Sequence, residues 1–171
     1  MRILLTGSTG YIGRRLLPAL VEEGHHVICL VRDIRRFDSE DFSLEFLKNI
    51  TLLEADLNDR TSLSGLPKVI DAAYYLVHSM TTSYPNFGRL EESSAQNFVH
   101  YINQTDAKQI IYLSGISNDE ALSNHLRSRK NVEGVLRSSR VPTTTLRAAI
   151  VIGSGSASFE IIRDLVEKLP I

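Results

Sequence analysis

Short runs of apolar residues recur along the chain, separated by stretches in which apolar positions return every three or four residues. The first run, RILLTG, ends in glycine and is typical of a strand that is buried on both faces of a sheet. Five later runs share this character, and HVICLV shows it most clearly. The pattern therefore predicts six strands, at residues 2–7, 26–31, 50–56, 69–78, 109–116 and 144–153.

The stretches between these runs predict helices. An apolar face favours a helix over residues 13–23, which Gly24 ends. Longer helices are predicted at 87–103, 123–138 and 159–169, and short helical segments near 43–48 and 62–66. Strands that alternate with helices indicate the α/β class, here a doubly wound, mostly parallel sheet of the Rossmann-like type in three α/β/α layers. No repeat or shift in composition divides the 171 residues, so a single domain is expected.

Composition narrows the classes of protein to consider. Hydrophobic residues make up 43% and charged residues 23%, as in an ordinary globular domain, and the net charge of -1 argues against a nucleic-acid partner. Short basic clusters near 32–36 and 127–130 favour a small anionic ligand instead. The single cysteine, Cys29, excludes an internal disulfide and a cysteine-rich metal site, so no metal is expected. Without a leader or an apolar run of the ~20 residues that span a membrane, we expect a cytoplasmic protein.

The most informative motif is TGSTGYIG, which lies between the first predicted strand and the first predicted helix. Its glycines, Gly7, Gly10 and Gly13, have the spacing G-x-x-G-x-x-G. Glycines in this position allow a sharp turn, a close approach of backbone N–H groups to a pyrophosphate, and tight packing of helix on strand. The alternative is a tight strand-to-helix turn that binds nothing, but the surrounding strand and helix favour a dinucleotide site.

Together with four later pieces, this motif resembles the extended and atypical branches of the short-chain dehydrogenase/reductase superfamily, including epimerase-like and NmrA-like proteins. VRD follows the second predicted strand, ADL the third, LVH ends the fourth and LSG ends the fifth. LRAAIVIG resembles the sixth strand of that superfamily. The resemblance covers most of the chain and implies that it binds NAD(P). It also implies that the chain is the N-terminal part of a longer protein, because extended members continue with a lobe that builds the substrate pocket.

The resemblance also assigns roles to individual residues. Asp56 and Leu57 would border the adenine, although Asp56 could instead cap the following helix. Leu76, Val77 and His78 would flank the nicotinamide ribose. The cofactor contacts implied in this way are Gly7, Thr9, Gly10, Tyr11, Ile12, Gly13, Arg32, Asp56, Leu57, Leu76, Val77, His78, Ser114 and Lys130.

The residues after the second strand bear on the choice of nucleotide. NAD sites usually hold the adenosine ribose diol with an acidic residue at the end of that strand. Here Arg32 comes first, and its guanidinium could pair with a 2′-phosphate or lie flat on adenine. Asp33 is a rival that could hold the diol, and a solvated arginine is the alternative for Arg32. We therefore expect NADP, with NAD as a possible cofactor.

The acid–base part of the site departs from the superfamily pattern, in which a helix carries Y-x-x-x-K. Lys130 matches the lysine, but Leu126 occupies the tyrosine position and has no proton to exchange. Ser114, at the end of the fifth strand, is the candidate for the serine that orients a carbonyl, although that position could lie nearer Ile116 or Ser117. Lys130 could equally be a solvated helix residue. A proton donor would have to be His78, Tyr84, His125 or a residue outside the chain.

Two functions follow from this incomplete set. The first is a reductase, epimerase or dehydratase acting on an unknown carbonyl or nucleotide-sugar substrate with non-standard acid–base residues. The second is a non-catalytic NADP(H) sensor or protein-interaction module. A third hypothesis is a flavin- or mononucleotide-binding domain, which the glycine loop and the VRD motif disfavour. The helix at 87–103 could also form the face of a homodimer, although an apolar helix face more often packs on its own sheet.

Overall fold

The computed structural model describes residues 1–40, 42–77, 87–116 and 124–169. Six parallel strands form one sheet in the order β3-β2-β1-β4-β5-β6. The strands are β1 (Arg2–Thr6), β2 (His26–Val31), β3 (Ile50–Glu54), β4 (Ala72–Tyr75), β5 (Gln109–Gly115) and β6 (Thr143–Ala148). All six predicted strands are confirmed, and their order is that of dinucleotide-binding folds.

In the described part of the chain, five α-helices lie between or after these strands. They are α1 (Tyr11–Glu22), α2 (Leu44–Leu47), α3 (Phe87–Ile102), α4 (Asn124–Arg137) and α5 (Ala157–Lys168). Short 3₁₀ turns at Ile34–Arg36 and Arg60–Leu63 precede α2 and β4. The predicted helices are present, but α1 begins two residues earlier than expected, because Gly10 is its N-cap and Gly13 lies inside its first turn.

Two hydrophobic clusters cover the faces of the sheet and confirm the doubly wound α/β class. Along β1, alternate side chains enter different clusters: Ile3 and Leu5 join one, and Leu4 joins the other. The first cluster includes Leu17 and Leu20 of α1. The second contains the apolar sides of α3 and α4. Helices therefore flank the sheet on both faces.

The fourth and sixth strands differ most from their predicted lengths, and their neighbours explain where they end. The fourth ends at Tyr75 rather than at position 78, because its partner β1 ends at Thr6, where Gly7 turns the chain away. The sixth ends at Ala148 rather than at 153, opposite Gly115 at the end of β5. The sequence pattern assigned Leu76 and Ile150 to these strands, but in the structure both residues lie in loops.

The described residues contain no helix that is long and apolar enough to cross a membrane. Within the same ranges, no group of three His, Cys, Asp or Glu side chains is arranged to hold a metal ion.

Cys29 gives a direct probe of this fold. Its side chain is fully buried in β2, and burial raises the pKa of its thiol to about 12. Since the thiolate is the reactive form, we expect iodoacetamide to leave Cys29 unmodified in the folded protein near neutral pH and to modify it in denaturant. Mass spectrometry measures the adduct. Rapid modification without denaturant would show that β2 is accessible and would contradict this packing.

Candidate functional site

A cleft of about 350 Å³ opens at the carboxyl ends of the central strands. It lies where β1 is flanked by β2 on one side and β4 on the other, the point at which the strand order reverses. Open α/β sheets bind ligands at this point. The lining residues come from five strands or strand ends and from two helices: Thr6, Gly7, Thr9, Gly10, Leu30, Val31, Arg32, Ala55, Asp56, Leu57, Asn58, Tyr75, Leu76, Val77, Leu90, Glu91, Ser94, Tyr112 and Val132.

The glycine loop forms the middle of the cleft wall. At two of its positions, close backbone contacts leave no room for any residue larger than glycine. Gly7 has a φ of 74°, and a Cβ there would lie 2.8 Å from the backbone oxygen of Leu76. A Cβ on Gly13 would lie 2.1 Å from the backbone oxygen of Gly7. The N–H of Gly10 donates to that same oxygen at 3.0 Å. The first turn of α1 is thereby packed against the end of β1, with its N-terminus at the cleft.

Thr6 fixes the position of this loop relative to β4. Its hydroxyl donates to the backbone oxygen of Tyr74 at 3.0 Å and accepts from the N–H of Leu76 at 3.2 Å. Both bonds span about seventy residues of sequence, so a sequence pattern does not reveal them. They hold Leu76 and Val77 beside the glycine loop, where both line the cleft.

The two residues after β2 that could contact the adenosine ribose, Arg32 and Asp33, have different surroundings in the structure. Arg32 lines the cleft. Asp33 is not among the lining residues; it accepts from the guanidinium of Arg35 at 2.9 Å and from the backbone N–H of Arg35 at 3.0 Å. Hydrogen bonding by the Arg35 side chain holds the pKa of Asp33 below its usual value. The Asp33 carboxylate is therefore already engaged within its own turn.

The loop after β3 forms one end of the cleft, and α3 supports it. Asp56 and Leu57 line this end. The Asp56 carboxylate accepts from the N–H of Asn58 at 2.9 Å, whereas the following 3₁₀ turn is capped by Asp59, so Asp56 does not cap it. The amide of Asn97 donates to the backbone oxygen of Leu57 at 2.8 Å. The opposing helix thus sets the position of the loop.

The inner end of the cleft is built from residues that the sequence did not indicate. Tyr75 is the last residue of β4, Tyr112 lies beside it in the middle of β5, and Glu91 projects from α3. Burial raises the pKa of Tyr112 to about 12 and that of Tyr75 further, so both phenols are neutral near physiological pH. Glu91 accepts from the hydroxyl of Ser128, a buried residue of α4. This contact joins α3 to α4 beneath the cleft.

The remaining predicted residues lie in different places. Ser114 is buried and Lys130 is exposed on α4, and neither is among the residues that line the cleft. Leu126 lies on α4 and packs against Gly115. A Cβ added to Gly115 would lie 3.0 Å from the Cδ2 atom of Leu126. His78 and Tyr84 lie outside the described residues, as does the side chain of His125.

Two of the predicted loop contacts, Tyr11 and Ile12, are not among the residues that line the cleft. The Tyr11 ring lies under the guanidinium of Arg15, whose carbon is 3.8 Å from the ring centre, and against Gly153 after β6. Arg15 also donates to the backbone oxygen of Ser154 at 2.7 Å. Tyr11 thus connects the glycine loop to the segment before α5. Ile12 is partly buried in α1 and is not a lining residue of the cleft.

Comparison with known proteins identifies the family. The model of the NmrA-like family matches residues 1–166, and the chain belongs to this family. It is 25% identical over 152 residues to the photosystem II assembly factor Ycf39 of Synechocystis, covering 87% of the chain and 44% of that protein. It is 40% identical over 73 residues to a bifunctional pinoresinol-lariciresinol reductase of Linum usitatissimum, covering 41% of the chain and 23% of the reductase. The chain therefore spans less than half the length of these relatives.

Solved structures confirm the fold. The UDP-glucuronic acid 4-epimerase of Bacillus cereus, in complex with NAD, superposes with a TM-score of 0.71 at 18% identity. The match covers 99% of the chain and 64% of the epimerase. Together, the comparisons relate this chain to reductases in sequence and to epimerases in fold.

Proposed function

We propose that this NmrA-like domain binds NADP(H), and NAD(H) more weakly, in the cleft at the carboxyl ends of β1 and β4. The observation that carries the proposal is the glycine loop, whose backbone packing leaves no room for a Cβ at Gly7 or Gly13 and opens the start of α1 toward the cleft. Backbone N–H groups and the positive end of a helix bind a pyrophosphate in this arrangement.

The lining residues support one orientation of the dinucleotide. The pyrophosphate would lie on the glycine loop, and the adenosine would extend toward Arg32, Asp56 and Leu57. The nicotinamide ribose would lie toward Leu76 and Val77 on the β4 side. Ser114 and Lys130 remain proposed contacts at that end, as the superfamily pattern implies. The complex of the epimerase with NAD supports a nicotinamide cofactor over a flavin.

The arginine side of the cleft supports NADP(H). Arg32 presents a cation to the cleft, whereas the carboxylate of Asp33 is held by Arg35. A guanidinium binds a phosphate through two parallel hydrogen bonds, and a carboxylate is needed to accept from a ribose diol. We therefore expect a preference for NADP(H), because the positive charge of Arg32 is available to the ligand and the negative charge of Asp33 is not.

In the first candidate activity, the whole protein reduces a small carbonyl or unsaturated substrate with the bound cofactor. Leu126 supplies no proton, so the acid must come from another residue or from a further part of a longer protein. In the second, the domain senses the dinucleotide or interacts with a protein, which Leu126 and the similarity to an assembly factor favour. Measuring the oxidation of NADPH with a panel of carbonyl substrates distinguishes the two candidates, because only the reductase is expected to turn over.

The proposed nucleotide preference is tested by a matched pair of variants, Arg32→Gln and Arg35→Gln. Each removes one positive charge, but only Arg32 lines the cleft. We expect Arg32→Gln to weaken NADPH binding roughly 10- to 100-fold and to change NADH binding little, since hydrogen bonds to charged groups are the stronger ones. Arg35→Gln should leave NADPH binding close to that of the wild type and should strengthen NADH binding, because it frees the Asp33 carboxylate to accept from the ribose diol. Equal losses in both variants would contradict a specific role for Arg32.

A further inference from the structure

A carboxylate lies at the inner end of the cleft, on the side of β4 and β5. It belongs to Glu91 of α3, a residue that lines the cleft and is 8% exposed. The hydroxyl of Ser128, a buried residue of α4, donates to its Oε2 atom. The packing of two helices therefore sets the position of this negative charge in the cleft.

The side chains around the carboxylate are mostly apolar or aromatic. Leu90 of α3 and Val132 of α4 line the cleft together with Tyr75 and Tyr112. The centres of the two tyrosine rings are 6.0 Å apart. An aromatic ring attracts a cation over its face, and a nearby carboxylate attracts it more strongly in a partly desolvated site. The inner end of the cleft thus combines two features that favour an organic cation.

The basic side chain that lines the described cleft is at its other end. It belongs to Arg32, which follows β2, on the opposite side of β1 from β4 and β5. Arg129 approaches Tyr112 from α4, but its guanidinium packs at Gly115 and is not among the lining residues. An anionic substrate group would therefore meet Glu91 without a cation from the described lining of the inner end.

Among the described residues, the tyrosines at this end of the cleft are weak proton donors. Leu126 stands at the tyrosine position of the superfamily pattern. Burial raises the pKa of Tyr112 to about 12 and that of Tyr75 further, and a general acid works best with a pKa near the operating pH. Reduction of a carbonyl needs a hydride and a proton. Reduction of an acceptor that is already positively charged needs only the hydride.

We propose that the inner end of the cleft binds a delocalised organic cation of the aryl iminium type, which the bound NADPH reduces without a proton donor. The proposal rests on the proposed function, because the dinucleotide supplies the hydride. The hydride leaves C4 of the dihydronicotinamide and forms a C–H bond at the iminium carbon, while the C=N π electrons become the nitrogen lone pair. The products are NADP⁺ and a neutral amine. Glu91 is the specificity-determining residue that selects positive charge.

Glu91→Gln tests the charge and keeps the shape of the side chain. The probe is N,N-dimethyltetrahydroisoquinolinium, a cation that cannot accept a hydride, titrated calorimetrically into the chain saturated with NADPH. We expect the variant to bind it roughly tenfold more weakly, because one ionic contact in a partly screened cleft is lost. Glu92→Gln is the matched control, since Glu92 is the next residue of α3, does not line the cleft and accepts from the amide of Gln96 at 3.3 Å.

Turnover tests the hydride transfer. The acceptors are N-methyldihydroisoquinolinium, an aryl iminium, and tetralone, a neutral ketone of similar shape. After subtraction of the reaction without protein, the wild type should oxidise NADPH faster with the iminium than with tetralone. Glu91→Gln should lower kcat/KM for the iminium roughly tenfold, in line with the weaker binding of the saturated cation. Glu92→Gln should leave this value unchanged.

Several results would overturn the inference. The first is a wild type that binds NADPH but not the cation, or that binds the cation no better than Glu91→Gln does. The second is faster oxidation of NADPH with tetralone than with the iminium. Slower reduction of tetralone in Glu91→Gln, with unchanged binding of the cation, would make Glu91 a proton donor instead. Absence of NADPH binding to the wild type would overturn the proposed function as well, so the two failures are distinguishable. Thermal unfolding of each variant confirms that the protein remains folded.

Discussion

Gly13→Ala should destabilise the protein by roughly 3 kcal/mol and abolish dinucleotide binding, because overpacking a rigid contact costs this much or more. The new Cβ would lie 2.1 Å from the backbone oxygen of Gly7 and 2.7 Å from the Cα of Ser8. Neither atom belongs to a flexible side chain, so the loop or the first turn of α1 must shift. Urea unfolding measures the stability, and titration with NADPH measures the binding.

Gly134→Ala is the matched control for this substitution. Gly134 also lies inside a helix, but it is exposed on α4 and a Cβ there meets nothing within 4 Å. Alanine favours the helix over glycine, so this variant should be more stable than the wild type by about 0.5–1 kcal/mol. The same chemical change thus has opposite signs at the two positions. A Gly13→Ala protein as stable as the wild type would contradict the close packing of loop and helix.

Phe98→Ala should destabilise the protein by about 3–5 kcal/mol, because loss of the ring leaves a cavity in the core. Phe98 is fully buried, and its ring meets the edge of the Tyr75 ring with the centres 4.9 Å apart. This contact anchors α3 to β4 beneath the cleft. The same helix presents Leu90, Glu91 and Ser94 to the cleft, so dinucleotide binding should weaken along with stability.

Leu44→Ala, which shortens an exposed leucine, is the control for the stability loss expected in Phe98→Ala. Leu44 is 83% exposed at the start of α2, and Leu44→Ala should change the free energy of unfolding by less than about 0.5 kcal/mol. Chemical denaturation of both variants under one set of conditions gives the two values. A Phe98→Ala effect as small as that of Leu44→Ala would show that α3 does not depend on this contact.

The architecture could be predicted from the sequence because buried parallel strands carry a strong local signal. Runs such as RILLTG and HVICLV are apolar throughout, and the helices between them carry one apolar face. Strand ends depend on the neighbouring strand, and this information is absent from the local pattern. Leu76 and Val77 look like strand residues, yet β1 has already ended at Thr6, so they enter the cleft.

The site was predictable to the extent that it is local in sequence. The glycine loop is contiguous, Arg32 directly follows β2, and Asp56 and Leu57 come soon after β3, at the same carboxyl edge of the sheet. Glu91 and Tyr112 could not be found in this way. They reach the cleft from elements that follow β4, and nothing around them in sequence distinguishes them from core residues.

The most direct test of dinucleotide binding is a calorimetric titration of the wild-type chain with NADPH and, separately, with NADH. The expected result is saturable binding of one dinucleotide per chain, tighter for NADPH than for NADH. Tighter NADH binding would retain the cleft and contradict the role of Arg32. Failure to bind either dinucleotide would mean that the glycine loop serves only to join β1 to α1, and the proposed function would be wrong.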